Sequence, residues 1–176
     1  MLPQDTDLGP VLGLQAESVG VPGQRTFRIH VHSGAGAARL WLEKEQLQAL
    51  AVAIEEFLSE LPKPRRLVPG SGGSLPFPNQ VTVEFSIGRL ALGYDADRDL
   101  VSLIVRELTE DPDQETGPQV RCQATREQMQ TLSRQALDVV SSGRPRCPLC
   151  NTPLTGPTHW CPRSNGHAPL PTERDA

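Results

Sequence analysis

Glu45-Gln46-Leu47-Gln48-Ala49-Leu50 returns, 82 residues later, as Glu127-Gln128-Met129-Gln130-Thr131-Leu132. The register persists past the quoted stretch, because Leu58 aligns with Val140. The first copy sits in an apolar stripe of Leu47, Leu50, Ala51, Ile54, Leu58 and Leu61, with Glu45, Gln48, Glu55 and Glu56 on the opposite face. That spacing predicts an amphipathic helix, which Pro62 and Pro64 stop. The second copy opens on Thr125-Arg126-Glu127-Gln128, the form of a capping box with Thr as N-cap and Gln at the third helical position. Its stripe is Met129, Leu132, Ala136 and Val139/Val140, and Gly143 ends it.

Working outward, each helix follows a run of strands. Before the first, Val11–Val19 reads as a strand, and Val21-Pro22-Gly23-Gln24 reads as a turn with Pro and Gly in their favoured places. Phe27, Ile29 and Val31 then alternate with Arg28, His30 and His32. Gly34-Ala35-Gly36 reads as a hairpin loop leading to Leu40 and Leu42. Before the second helix, Val83, Phe85 and Ile87 alternate, Gly88 allows a turn, and Leu90, Leu92 and Tyr94 make another strand. Asp95–Asp99 is a polar hairpin loop, and Leu100–Leu108, apolar on both faces, predicts a central strand. After an acidic loop at 110–118, Val120, Cys122 and Ala124 share one face of a last strand.

The expected fold is α+β: a mainly antiparallel sheet of about six or seven strands with two helices on one face. The echo has two readings. Either a strand–strand–strand–helix unit is duplicated over 11–61 and 80–143, or two amphipathic helices resemble each other by chance. Residues 1–10 read as a loose N-terminus, and 11–143 as the α+β domain. Within it, 62–79, Pro/Gly/Ser-rich, reads as a linker and the least ordered internal stretch. Residues 144–167 read as a zinc-binding tail and 168–176 as disordered.

Composition narrows the function classes. At 176 residues, with 37% apolar content, 17 Pro and 15 Gly, the chain suits one turn-rich domain with a small appendage. A net charge of −4 argues against broad phosphate contact. No apolar run is long enough to span a bilayer, and Met1–Pro10 has neither the basic nor the apolar segment of a signal peptide. The expectation is a cytoplasmic protein, in which clustered thiols serve as metal ligands rather than disulfides.

The thiols are clustered. Cys147-Pro148-Leu149-Cys150 is followed by His159-Trp160-Cys161-Pro162-Arg163. Two cysteines three apart on a tight turn can aim both sulfurs at one tetrahedral ion, with zinc the expected metal, and Cys161 supplies a third. A fourth ligand must come from elsewhere, because Ser164 stands where a second Cys-x-x-Cys would place cysteine. His159 is the first choice, since residues two apart on an extended segment point to the same side. His167 is the alternative if Asn165-Gly166 folds back, and water, leaving an open site, is the third. No Asp or Glu lies between Cys147 and His167 to act as a base, which favours a structural ion.

Other candidates weigh less. His30 and His32 could pair on a metal, but an exposed polar strand face is the simpler reading. Cys122 reads as a buried thiol. Gly70-Ser71-Gly72-Gly73-Ser74 lacks the Lys-Ser/Thr of a phosphate loop. Asp95, Asp97 and Asp99 lack the Gly and Glu of a calcium loop. Lys63, Arg65 and Arg66 read as a solvated basic linker.

The tail motifs Gly143-Arg144-Pro145-Arg146-Cys147-Pro148-Leu149-Cys150 and His159-Trp160-Cys161-Pro162-Arg163-Ser164-Asn165-Gly166 resemble those of an uncharacterised, mainly actinobacterial domain-of-unknown-function family. So do Gly20-Val21-Pro22-Gly23-Gln24-Arg25-Thr26-Phe27 and Leu42-Glu43-Lys44-Glu45-Gln46. The resemblance runs from about Val19 to Gly166. It implies Tyr at the position of His167, which favours His159 as ligand, and an acidic connector where this chain has a Gly/Ser/Pro-rich one. It also implies a pathway link to a histidine-phosphatase-like protein and a lipid-kinase-like protein, and carries no activity.

The functional expectation is a non-enzymatic binding or adaptor module with a structural zinc and an unidentified protein partner. Arg25–His32 and Trp160 would offer contact surfaces. The alternatives are a zinc-dependent enzyme with an open site on Cys147, Cys150 and Cys161, and a nucleic-acid-binding knuckle using Arg144, Arg146 and Arg163. No catalytic residue is assigned.

Overall fold

The computed structural model describes residues 5–21, 24–63, 76–110, 117–142, 147–150, 161 and 163. The chain divides into two compact units, Met1–Val140 and Ser141–Ala176. The first holds six strands and nearly all of two helices, in the order β1 (Asp5–Val19), β2 (Thr26–Ser33), β3 (Gly36–Leu42), α1 (Lys44–Glu60), β4 (Val83–Asp95), β5 (Leu100–Glu107), β6 (Gln119–Ala124) and α2 (Arg126–Ser141).

The α+β expectation holds, and the sheet is mostly antiparallel, as the alternating strands imply. It also closes on itself: each strand pairs with the next, and β6 returns to β1. Four pairings are antiparallel. The two parallel ones, β3 with β4 and β6 with β1, join the two halves. Closure needs two strands long enough to serve two neighbours each. β1 lends Asp5–Pro10 to β6 and Val11–Val19 to β2. β4 lends Val83–Ser86 to β3 and Ile87–Asp95 to β5.

A bulge lies at the change of partner in both, between Val11 and Gly13 and between Ile87 and Arg89. One extra residue bends a strand and raises its local twist, which lets it leave one sheet for another. Gly88 therefore does not end a strand, as its expected turn required. A Cβ there would lie 2.7 Å from the Leu108 Cα, so this bulge needs glycine for close backbone approach. The N-terminal expectation is corrected too. β1 starts at Asp5, where pairing with β6 orders residues expected to be loose, and Leu8 is 2% exposed.

The interior is aliphatic. Ile29, Val31, Leu40, Val101, Leu103, Val105 and Val120 fill it, and Leu47, Leu50, Ile54, Met129 and Leu132 enter from the helices. Each such side chain contributes about 1.5–3 kcal/mol relative to exposure. Ser133 Oγ, fully buried, donates to the Ala51 carbonyl at 3.0 Å. These positions are the same 82 residues apart as the repeated motif. A residue meets its own counterpart only near a two-fold axis, so the contact supports the duplication reading.

The helix starts repeat as well. Gln46 Oε1 accepts from the Glu43 N–H, and Gln128 Oε1 from the Thr125 N–H, both at 2.9 Å. The other end of each amide crosses to the opposite half. Gln46 Nε2 donates to the Ile87 carbonyl, and Gln128 Nε2 to the Val11 carbonyl, each at 3.2 Å. Ile87 and Val11 are the residues before the two bulges. No helix among the described residues is long and apolar enough to cross a membrane.

Candidate metal centre

The second unit is described at Cys147–Cys150, Cys161 and Arg163. Residues 148–150 form a turn, which brings Cys147 and Cys150 to one side. Cys147, Cys150 and Cys161 place their sulfurs within 4.8 Å of one another. Cys147 and Cys161 are buried, each 6% exposed, and their sulfurs lie 3.7 Å apart. A disulfide would hold them at about 2.05 Å, and none of the four cysteines is in a disulfide. A tetrahedral ion with a metal–sulfur distance of about 2.3 Å sets its sulfurs about 3.8 Å apart, close to the observed gap. The Arg163 guanidinium donates to the Leu149 carbonyl at 3.3 Å, tying the turn to the segment that carries Cys161.

Burial, with the Cys150 and Cys147 sulfurs alongside, raises the Cys161 thiol above its ordinary pKa. Crowded thiols resist ionisation, whereas a bound cation favours the thiolate. The three cysteines thus form a site able to hold a metal ion. His159, the expected fourth ligand, lies outside the described residues, as do His167, Trp160, Arg144 and Arg146.

Cys122, expected as a buried thiol, is 1% exposed in the barrel wall, and burial pushes its pKa up to about 12, so it is unreactive. Two aspartates of the β4–β5 hairpin, Asp95 and Asp99, are committed to hydrogen bonds within the protein. Asp95 accepts from the N–H groups of Asp97 and Arg98. Asp99, at a left-handed φ of 52°, accepts from the Tyr94 hydroxyl at 2.7 Å and from Arg126 Nε at 2.8 Å. Gly70–Ser74, Arg65 and Arg66 lie outside the described residues.

His30 and His32 depart from the expected exposed face. The Phe77 ring packs edge-on at 4.2 Å from His30 and 6.1 Å from His32, and His30 is 5% exposed. His30 Nε2–H donates to Glu17 at 2.8 Å, and burial depresses the His30 pKa despite that bond. Glu17 also takes Arg28, which stacks over Trp41, and Trp41 Nε1–H donates to Glu84. This ladder across four strands was not legible in the sequence, because it depends on cross-strand register. Its one local signal is the run of polar residues alternating with Phe27, Ile29 and Val31.

No curated protein and no solved structure matches the chain. One family does, over residues 8–161, a span running from β1 to the third cysteine of the cluster. With the match covering most of its length, the chain belongs to the family described as protein of unknown function, DUF3090.

Proposed function

We propose that this is a cytosolic, non-enzymatic binding module whose C-terminal unit is stapled by one structural zinc on Cys147, Cys150, Cys161 and His159. The convergence of three sulfurs at the spacing of a tetrahedral site carries this reading. Thiolates select zinc among common cytosolic divalent ions that lack redox chemistry. Three thiolates and an imidazole fill the tetrahedron, so substrate finds no open position, and the ion acts as a staple. The hydrophobic core of the Met1–Val140 unit includes none of these three cysteines, which supports a staple that this core does not require.

Freshly purified, reduced protein should contain about one zinc per chain by elemental analysis. Cys147→Ser and Cys161→Ser should lose it, and His159→Ala should weaken retention strongly while His167→Ala should not. Chelation should leave most of the helical circular dichroism signal. Zinc-free reduced protein would sink the assignment, and a dominant effect of His167→Ala would move the fourth ligand.

A further inference from the structure

The two-fold design of the barrel contains its own control, and one groove fails to match its counterpart. Among the described residues, β1 beyond Pro10 pairs only with β2, and β4 beyond Ser86 pairs only with β5. Each strand thus has a stretch of backbone edge beside a helix. On the β1 side, the Ala16 N–H donates to Gln135 Oε1 of α2 at 3.3 Å, which caps that edge. The counterpart of Gln135 in the 82-residue repeat is Ala53, exposed on α1 and too short to reach a strand. A groove of about 550 Å³ lies there, lined by Gln46, Leu50, Ala53, Phe57, Leu90 and Leu92 among others.

The backbone beside that groove faces outward. The Glu107 N–H donates to the Pro118 carbonyl on the β6 side. Donors on a strand alternate in direction, so Leu103, four residues earlier, also points toward β6. Leu92 is paired with Leu103, so that pair exchanges no bonds, and the Leu92 N–H and C=O turn away from β5. Ala16, five residues past its bulge as Leu92 is past its own, has the same orientation. Among the described residues, no side chain meets the Leu92 N–H. Exposed strand edges invite pairing and are ordinarily blunted. Here one edge is blunted by an amide and the other is left open beside an apolar cleft.

We propose that the α1–β4 groove binds an extended peptide segment of a partner protein as an added strand on β4. The peptide's carbonyl accepts the Leu92 N–H in the role Gln135 plays for Ala16. One apolar side chain fills the cleft between Leu50, Phe57, Leu90 and Leu92. Glu56 and Glu60 line the same groove from α1, so the peptide carries a basic residue at the end facing them. Main-chain bonds supply affinity in such strand addition, and the side-chain pockets supply selectivity. The proposal names a partner for the binding-module reading and rests on it, but it does not depend on zinc.

The test uses the full chain, isotope-labelled for amide NMR. The probe is a pool of acetylated, amidated peptides Lys-X-Thr-X-Thr, X being Val, Leu, Ile or Phe, with a Glu-X-Thr-X-Thr pool as control. In free protein the Leu92 amide should exchange with solvent faster than that of Ala16. The basic pool should shift and protect it with a Kd below about 1 mM. Ala53→Gln, which installs the missing amide on an exposed helix face, should raise Kd about tenfold or more with unchanged Tm. The Glu pool should bind more weakly. No shift with the basic pool, undiminished binding by Ala53→Gln, or equal binding of the acidic pool would overturn the proposal. Repeating the titration after chelation keeps it distinct from the metal assignment: peptide binding that persists without metal supports the groove whether or not zinc was present.

Discussion

Gln46 and Gln128 perform one task on opposite sides of the barrel, whereas Ala53 and Gln135 do not. The glutamines each close a capping box and reach across to the carbonyl before the other half's bulge. Those positions hold the frame, and the two halves agree in them. Ala53 and Gln135 face the strand edges, where one half is capped and the other open. Arg126 marks a second divergence. It joins Asp99, the Tyr94 hydroxyl and the Pro62 carbonyl, pinning the start of α2 to the β4–β5 hairpin and the end of α1. Its counterpart in the repeat is Lys44. Agreement between the halves thus tracks the requirements of closure, and divergence falls where closure demands nothing.

The largest expected effect tests the agreement. Leu50 and Leu132 are equivalent and buried, so Leu50→Ala and Leu132→Ala should each cost about 2–5 kcal/mol, by loss of burial and by the cavity left behind. Urea denaturation giving costs far apart would show that the two stripes do not share one symmetric core. Next comes the divergence. Arg126→Ala should cost about 1.5–3 kcal/mol through lost charge-assisted bonds, while Lys44→Ala should stay within about 0.5 kcal/mol. The Tyr94 hydroxyl first, and Arg126 with it, hold the Asp99 carboxyl below its ordinary pKa. A carboxylate with a depressed folded pKa stabilises fully above its unfolded value, and that contribution is lost as pH falls through the folded value. The gap between wild-type and Arg126→Ala midpoints should therefore be full at neutral pH and shrink in acid; a gap that widened there would remove Asp99 as the cause. Last comes the shared cap. Gln46→Ala and Gln128→Ala should each cost about 1–2 kcal/mol in thermal unfolding, and a much smaller cost for either would mean that its cross-half bond is dispensable.

Much of this was legible from residue patterns. The helical stripes, the box at Thr125–Gln128 and the alternation of Phe27, Ile29 and Val31 are local, with periods set by the backbone itself. The 82-residue echo is legible for the same reason. Closure was not. Gly88 reads as a turn because nothing nearby shows that Leu108 crowds it or that β4 serves two neighbours. Phe77 sits in a Pro/Gly/Ser-rich stretch, and its packing on His30 requires the fold. At the metal site, the spacing of Cys147, Cys150 and Cys161 announces shared ligation, whereas His159 rests on strand geometry outside the described residues. The open groove is announced by no local pattern in the sequence. An exposed alanine in a helix looks unremarkable until the position that should match it is found to hold glutamine.

The pairing of β1 with β6 joins Asp5 to Gln119, and it fixes an order of events during synthesis. β1 emerges from the ribosome before the other five strands, yet its neighbour along Asp5–Pro10, β6, is the last of the six made. Until β6 appears, that edge has no mate, and the early hairpin of β1 and β2 must wait with part of its apolar face uncovered. Long-range parallel pairing is slow because a large loop closes before any contact rewards it. The ring can then close only after translation has passed β6, so the earliest strand of the barrel is among the last to be fully paired.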